Sequence, residues 1–233
     1  MQPELRTVQT GAPAATQDFA LQQHKVLRNT YMLLALSLIP TAIGAAIGTN
    51  IDLGFMRTSP MVSFIVILGV FYGWIYAIER NKDSSLGVAL LLGFTLFLGL
   101  LLGPLLHRTL GFKNGTELVM MAAGGTAAVF FVMAGIASST KRDFSGLASF
   151  LTVGAVIIML GVVASMFMQS PILYLVILGA FVLFSSLMIL WQVNNIVRGG
   201  ETNYISATLT LYISIYNLFS ALLQLLGIGG RSD

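Results

Sequence analysis

Thr210, Ser214, Asn217 and Gln224 fall at i, i+4, i+7 and i+14, with Ala221 at i+11, so a helix would carry them as one polar or small stripe. These groups hydrogen-bond but do not titrate. That leaves two kinds of chemistry for the stripe, bonding between helices or lining a solvated cavity. Two charged clusters are the other candidates: Glu79, Arg80, Lys82 and Asp83, and then Lys141, Arg142 and Asp143. Each reads either as solvated charge that sets topology or as a salt-bridged latch at the mouth of a cavity. His24 and His107 have no second histidine or carboxylate at ligand spacing, and the chain has no cysteine, so no metal, disulfide or thiolate site is expected. Tyr212 and Tyr216, at i and i+4, read as packing residues.

Catalysis finds no footing. An intramembrane protease needs an activated serine or paired aspartates, and no ionisable residue lies inside the apolar runs described below. There is no Walker loop, HExxH or dinucleotide fingerprint, so neither catalytic residues nor a cofactor is expected and the protein reads as a non-enzyme. The basic residues are scattered over short loops, which argues against nucleic acid as a partner. A transporter would show inverted repeats or broken helices at mid-membrane. Pro40 is the only proline well inside a run, and no repeat is visible.

The elements that must position these residues follow from composition. Apolar residues make up 56% of the 233 and charged residues only 9%, too little charge to cover a water-facing surface. After a polar segment, 1–24, that reads as a disordered tail, the chain divides into seven apolar runs near the length that crosses a bilayer: 31–48, 61–78, 86–106, 118–138, 147–168, 172–191 and 206–228. The fold class is therefore an all-α seven-helix membrane bundle, with a transmembrane domain over 25–233. Pro60 and Pro171 mark helix starts, Gln169-Ser170-Pro171 leaves room only for a tight hairpin, and Gly199-Gly200 interrupts the last loop. Arg6, Lys25, Arg28, Arg80, Lys82, Lys141, Arg142 and Arg198 lie on one side, and Arg57, Arg108, Lys113 and Arg231 on the other. The excess places the N-terminus in the cytoplasm and the C-terminus outside. Gly44 with Gly48, Gly69 with Gly73, and Gly99 with Gly103 are GxxxG pairs, expected to serve packing within the bundle.

Four stretches carry a family resemblance: HKVLRNTYMLLALSL from His24, MAAGGTAAVFF from Met121, KRDFSGL from Lys141, and WQVNNIVRGGETNYISATLTLYISIYNLF from Trp191. With the seven runs, they make the chain resemble the Bax inhibitor-1 family, nearest its bacterial YccA-like branch. The resemblance implies a bundle with a central last helix and a cytoplasmic cavity. It also implies a pH-sensitive calcium leak that depends on an aspartate pair latched to an arginine. Here the pair reads Gln192 and Ser214, and the latch candidate is Arg80 beside Glu79. Neither Gln192 nor Ser214 titrates, so any calcium or proton leak is expected to be weak and without the family's pH response.

The YccA-like branch implies a different role in the bacterial inner membrane, binding the AAA protease FtsH with its HflK and HflC partners and tempering degradation of membrane substrates such as SecY. The first reading is thus a regulator of membrane-protein quality control, itself open to being a substrate. The second is a cation leak channel lined by Gln192, Thr210, Ser214 and Asn217. A third is a stress-related assembly partner with no activity of its own.

Overall fold

The computed structural model describes residues 12–51, 59–140 and 142–229. They form seven helices: α1 (Ala12–Gly48), α2 (Pro60–Arg80), α3 (Ser85–Leu110), α4 (Gly115–Ser139), α5 (Leu147–Met168), α6 (Pro171–Val197) and α7 (Tyr204–Gly229). All seven are long and apolar enough to cross a membrane. Helix is what hydrocarbon demands, because it satisfies every backbone N–H and C=O within the segment. The protein is an all-α multi-pass membrane protein, as its composition implies.

The punctuation works as its chemistry predicts. Pro60 and Pro171 open their helices, where a missing N–H costs nothing. Gln169 takes a left-handed conformation at φ 31°, Ser170 caps α6 by accepting from Leu173 N at 3.4 Å, and the α5–α6 hairpin closes in two residues. Gly199, at φ 76°, occupies backbone space that side-chain-bearing residues rarely enter.

Two boundaries differ most from the expected ones. The tail was expected to stay irregular through His24, but the chain is helical from Ala12; Met1 to Gly11 lie outside the described residues. Extending a helix that the membrane has already nucleated adds one bond per residue fixed, so an apolar core is not required. Ala14 and Ala15 favour helix, and Pro13 sits in the first turn, where it is tolerated. Similarly, α6 continues past Trp191 to Val197, which brings Gln192 and Asn194 into the helix.

The core is built on α7, which packs against α1, α2, α3, α4 and α6, while α5 lies outside it on α6. Tyr212, Leu211, Leu218 and Leu223 of α7 are almost wholly buried. The closest approach of all is between α1 and α3. A Cβ on Gly44 would lie 2.2 Å from the Leu96 carbonyl oxygen, one on Gly99 2.2 Å from that of Thr41, and one on Gly103 2.1 Å from the Gly48 carbonyl carbon. Two of the GxxxG pairs thus interlock backbone to backbone, as expected of packing within the bundle. The third does not: nothing lies within 4 Å of a Cβ on Gly69 or Gly73, because that face of α2 points outward. α2 is attached by its other face, where Trp74 Nε1 donates to Leu90 O at 3.0 Å and its ring stacks on Phe97 at 5.5 Å.

Gly103→Val should therefore lower stability by about 3 kcal/mol, at the upper end of overpacking costs, because the obstructing atoms are backbone. Gly69→Ala should leave it unchanged or raise it by up to about 1 kcal/mol. Unfolding of the detergent-purified chain reads both.

Candidate functional site

The bundle's polar chemistry concentrates at the end where α1, α3, α5 and α7 begin. Asn203 caps α7: its Oδ1 accepts Ile205 N at 2.9 Å and Ser206 N at 3.2 Å, filling donors that a helix N-terminus leaves open. Its Nδ2 donates to Lys82 O at 3.0 Å and to Asp83 Oδ1 at 2.8 Å. One side chain thus starts α7 and holds the α2–α3 turn. Next to it, Ser206 Oγ donates to Glu79 Oε2 at 2.9 Å, and Lys82 Nζ stands 3.4 Å from the same oxygen. The expected latch cation, Arg80, is exposed at the end of α2, and Lys82 takes up Glu79 instead. Lys82 stands three positions after Glu79, which places both on one side of the turn; Arg80 is rotated about 100° from Glu79.

The α4–α5 loop is held from α6. Buried Asn194 donates through Nδ2 to Ala137 O and Arg142 O, both at 3.4 Å, and accepts Phe144 N on Oδ1 at 3.3 Å. Asp143 Oδ1 accepts Ser145 N at 2.9 Å, and this backbone N–H is the main influence holding the Asp143 carboxyl below its ordinary value; the Ser145 hydroxyl and the Arg198 charge act in the same direction. A depressed carboxyl favours the folded loop at neutral pH and loses that contribution only as pH falls through the lowered value. Lys141 lies outside the described residues. Asp143, Trp191, Asn194, Asn195 and Arg198 line a polar pocket of 310 Å³ between this loop and the end of α6. Above the α6–α7 turn, the Phe19 ring of the α1 extension covers Gly199, where a Cβ would come within 2.6 Å of it.

The stripe on α7 is distributed differently. Ser214 is buried and donates to Thr210 O of its own helix at 2.8 Å; Thr210 and Asn217 are half-buried. Gln224 donates to Ser220 O at 2.9 Å and accepts the Tyr174 hydroxyl from α6, so within the stripe it is Gln224 that bonds across helices. Gln192 is 2% exposed, and its Nε2 has no partner among the described residues. Several bonds between α7 and its neighbours come from the adjacent stripe. Thr208 Oγ1 lies 3.3 Å from Thr30 O of α1, and the Tyr212 hydroxyl lies 2.6 Å from Thr41 Oγ1 and 3.3 Å from Thr95 O.

Asn194, Asn203 and Thr208 were not singled out from the sequence, and Tyr212 was read only as a packing residue. A signal existed for Asn203, since asparagine directly before an apolar periodic run marks a helix start. Nothing local marks Asn194, whose partners lie 52 and 57 residues away.

Asn203→Ala should cost about 1–2 kcal/mol in unfolding, as loss of a cap with further partners. Asn194→Ala should speed tryptic cleavage after Arg142 several-fold while leaving the helix content measured by circular dichroism unchanged.

Residues 23–231 match the family model described as inhibitor of apoptosis-promoting Bax1. An uncharacterised protein of Neisseria meningitidis serogroup B is 48% identical over 88% of this chain and 92% of its own. The Escherichia coli K12 protein named modulator of FtsH protease YccA is 42% identical over 91% of this chain and 93% of its own. A protein of Pseudomonas aeruginosa is 42% identical over 89% and 91%. A family match and full-length relatives at these identities, joined to seven helices with the last at the centre, establish that the chain belongs to the Bax inhibitor-1 family.

Proposed function

We propose that this protein is an inner-membrane regulator of membrane-protein quality control that modulates an FtsH-type AAA protease, with HflK and HflC in the same assembly. Its N-terminus is cytoplasmic and its C-terminus periplasmic. The reading draws on the relative named a modulator of FtsH protease. The observation that carries it is the welded loop face: Asn203 ties the α2–α3 turn to α7, Asn194 ties the α4–α5 loop to α6, and the α1 extension crosses Gly199. This surface is rigid and charged, a form suited to docking a soluble protease domain, and Lys25, Arg28, Arg80, Lys82, Arg142 and Arg198 support a cytoplasmic position for it. The interlocked α1–α3 pair beneath it resists being pulled apart. The segment preceding the bundle supplies the handle a processive protease needs, so the protein is also a substrate that the enzyme engages slowly.

A second reading, a cation leak, is favoured by one observation: Gln192 Nε2 and Thr30 Oγ1 are buried polar atoms without partners among the described residues. Such atoms are the ones a chain of water would solvate.

In proteoliposomes holding FtsH and a membrane substrate, adding this protein should slow substrate loss several-fold, and removing Met1 to Ala20 should lengthen this protein's own half-life. Unchanged rates in both assays would end the regulator reading. Liposomes holding this protein alone should show no pH-dependent calcium or proton flux, whereas the Gln192→Asp, Ser214→Asp variant would gain it if the family's path persists. Flux through the unmodified chain would favour the leak.

A further inference from the structure

Between α1 and α4, with α7 as its floor, runs a groove of 730 Å³ lined by Tyr31, Ala35, Ala127, Phe130, Gly135 and Phe219, among others. α1 and α4 each pack on α7 and meet one another through the edge-on rings of Tyr31 and Phe130, 6.0 Å apart. Small residues keep the walls apart along the rest of its length. The lining offers almost no hydrogen-bonding capacity; the hydroxyl of Thr126 is already used on Ala122 O at 2.7 Å. At lipid depth such a slot takes hydrocarbon.

One end of the slot is charged. On α1, Arg28, Tyr31, Ala35 and Leu38 follow i, i+3, i+7 and i+10, so Arg28 continues the groove stripe toward the start of the helix, and it is exposed. On α4 the lining ends at Ser138, and the chain leaves the helix to Arg142, also exposed. Arg142 is not left to wander: its N–H bonds Thr140 Oγ1 at 3.3 Å, and its carbonyl accepts Asn194 Nδ2. Neither guanidinium is ion-paired among the described residues. The neighbouring carboxylate, Asp143, is occupied by Ser145 N and faces the Arg198 charge.

We propose that the α1–α4 groove binds an anionic phospholipid, one acyl chain lying in the slot and the phosphate held between Arg28 and Arg142. The charge pattern decides between occupants. A partner's transmembrane helix would fill the slot without needing two unpaired arginines at one end, whereas an amphiphile with an apolar tail and an anionic head matches both parts. Guanidinium groups suit this role because they bind phosphate oxygens in a bidentate fork, and basic pockets between helices are a recurrent form of lipid recognition.

Native mass spectrometry of the full chain, with phosphatidylglycerol or phosphatidylcholine of identical acyl chains added, tests this. Phosphatidylglycerol should bind about thirtyfold more tightly, the advantage expected of two arginines near a membrane surface. Arg28→Gln with Arg142→Gln should reduce it to the phosphatidylcholine level. Gly135→Leu fills the slot from a position where a Cβ meets nothing within 4 Å, and it should weaken both lipids alike; Ala127→Leu provides a second filling variant. Equal binding of the two lipids would overturn the headgroup assignment, and binding indifferent to both filling variants would overturn the slot. A co-purifying polypeptide displaced by Gly135→Leu would give the groove to a helix instead and end the lipid proposal.

Discussion

Hydrocarbon gives helices no hydrophobic reason to associate, and this constraint shapes every contact described above. Cohesion must come from backbones brought close enough for dense dispersion contact and from a few polar bonds that have no water to compete with them. Both devices meet on the same three helices. Gly44, Gly48, Gly99 and Gly103 let α1 and α3 approach backbone to backbone, and Thr208 and Tyr212 then bond α7 to both. Helices outside this trio are held by less: α5 packs mainly on α6, and α2 is tied by single polar bonds, Trp74 to Leu90 O on α3 and Glu79 to Ser206 on α7.

What distinguishes the loop end is where its polar groups send their bonds. Deep in the bundle, Ser37, Thr95, Thr126 and Ser214 bond carbonyls three or four residues back on their own helices, satisfying themselves without joining anything. At the loop end, Asn194, Asn203 and Ser206 reach across the chain, up to 127 residues away. A membrane regulator that acts through contact needs a surface with fixed geometry, and these bonds provide it. The same loop that Asn194 holds carries Arg142, which the lipid proposal sets against the phosphate, so protease docking and lipid binding would share one support.

Spans, hairpin and fold class were legible because hydropathy and proline placement are local and the bilayer enforces them. The start of α1 was not, since a sequence with no apolar core can still extend a nucleated helix. The polar stripe of Thr210, Ser214, Asn217 and Gln224 was read as a face turned inward; Ser214 is buried and the other three are half-buried, and polarity does not say whether a side chain bonds its own helix or a neighbour. Within the stripe Gln224 bonds across to Tyr174, and other cross-helix bonds fall on Thr208 and Tyr212, one stripe over. Arg80, the latch candidate from its place after α2, is exposed, and Glu79 pairs with Lys82 of the same charged cluster. The outward turn of Gly69 and Gly73 was equally hidden, because a GxxxG pattern states that a close approach is permitted without naming the partner.

α1 and α7 are fixed against one another where Thr208 Oγ1 meets Thr30 O. The chain contains no cysteine, so Thr30→Cys with Thr208→Cys gives a pair without background, which can be oxidised in intact membranes. The account predicts rapid, near-complete disulfide formation in this pair and none between Ala35→Cys and Ala127→Cys on opposite walls of the groove. A cross-link across the groove with none between α1 and α7 would contradict it.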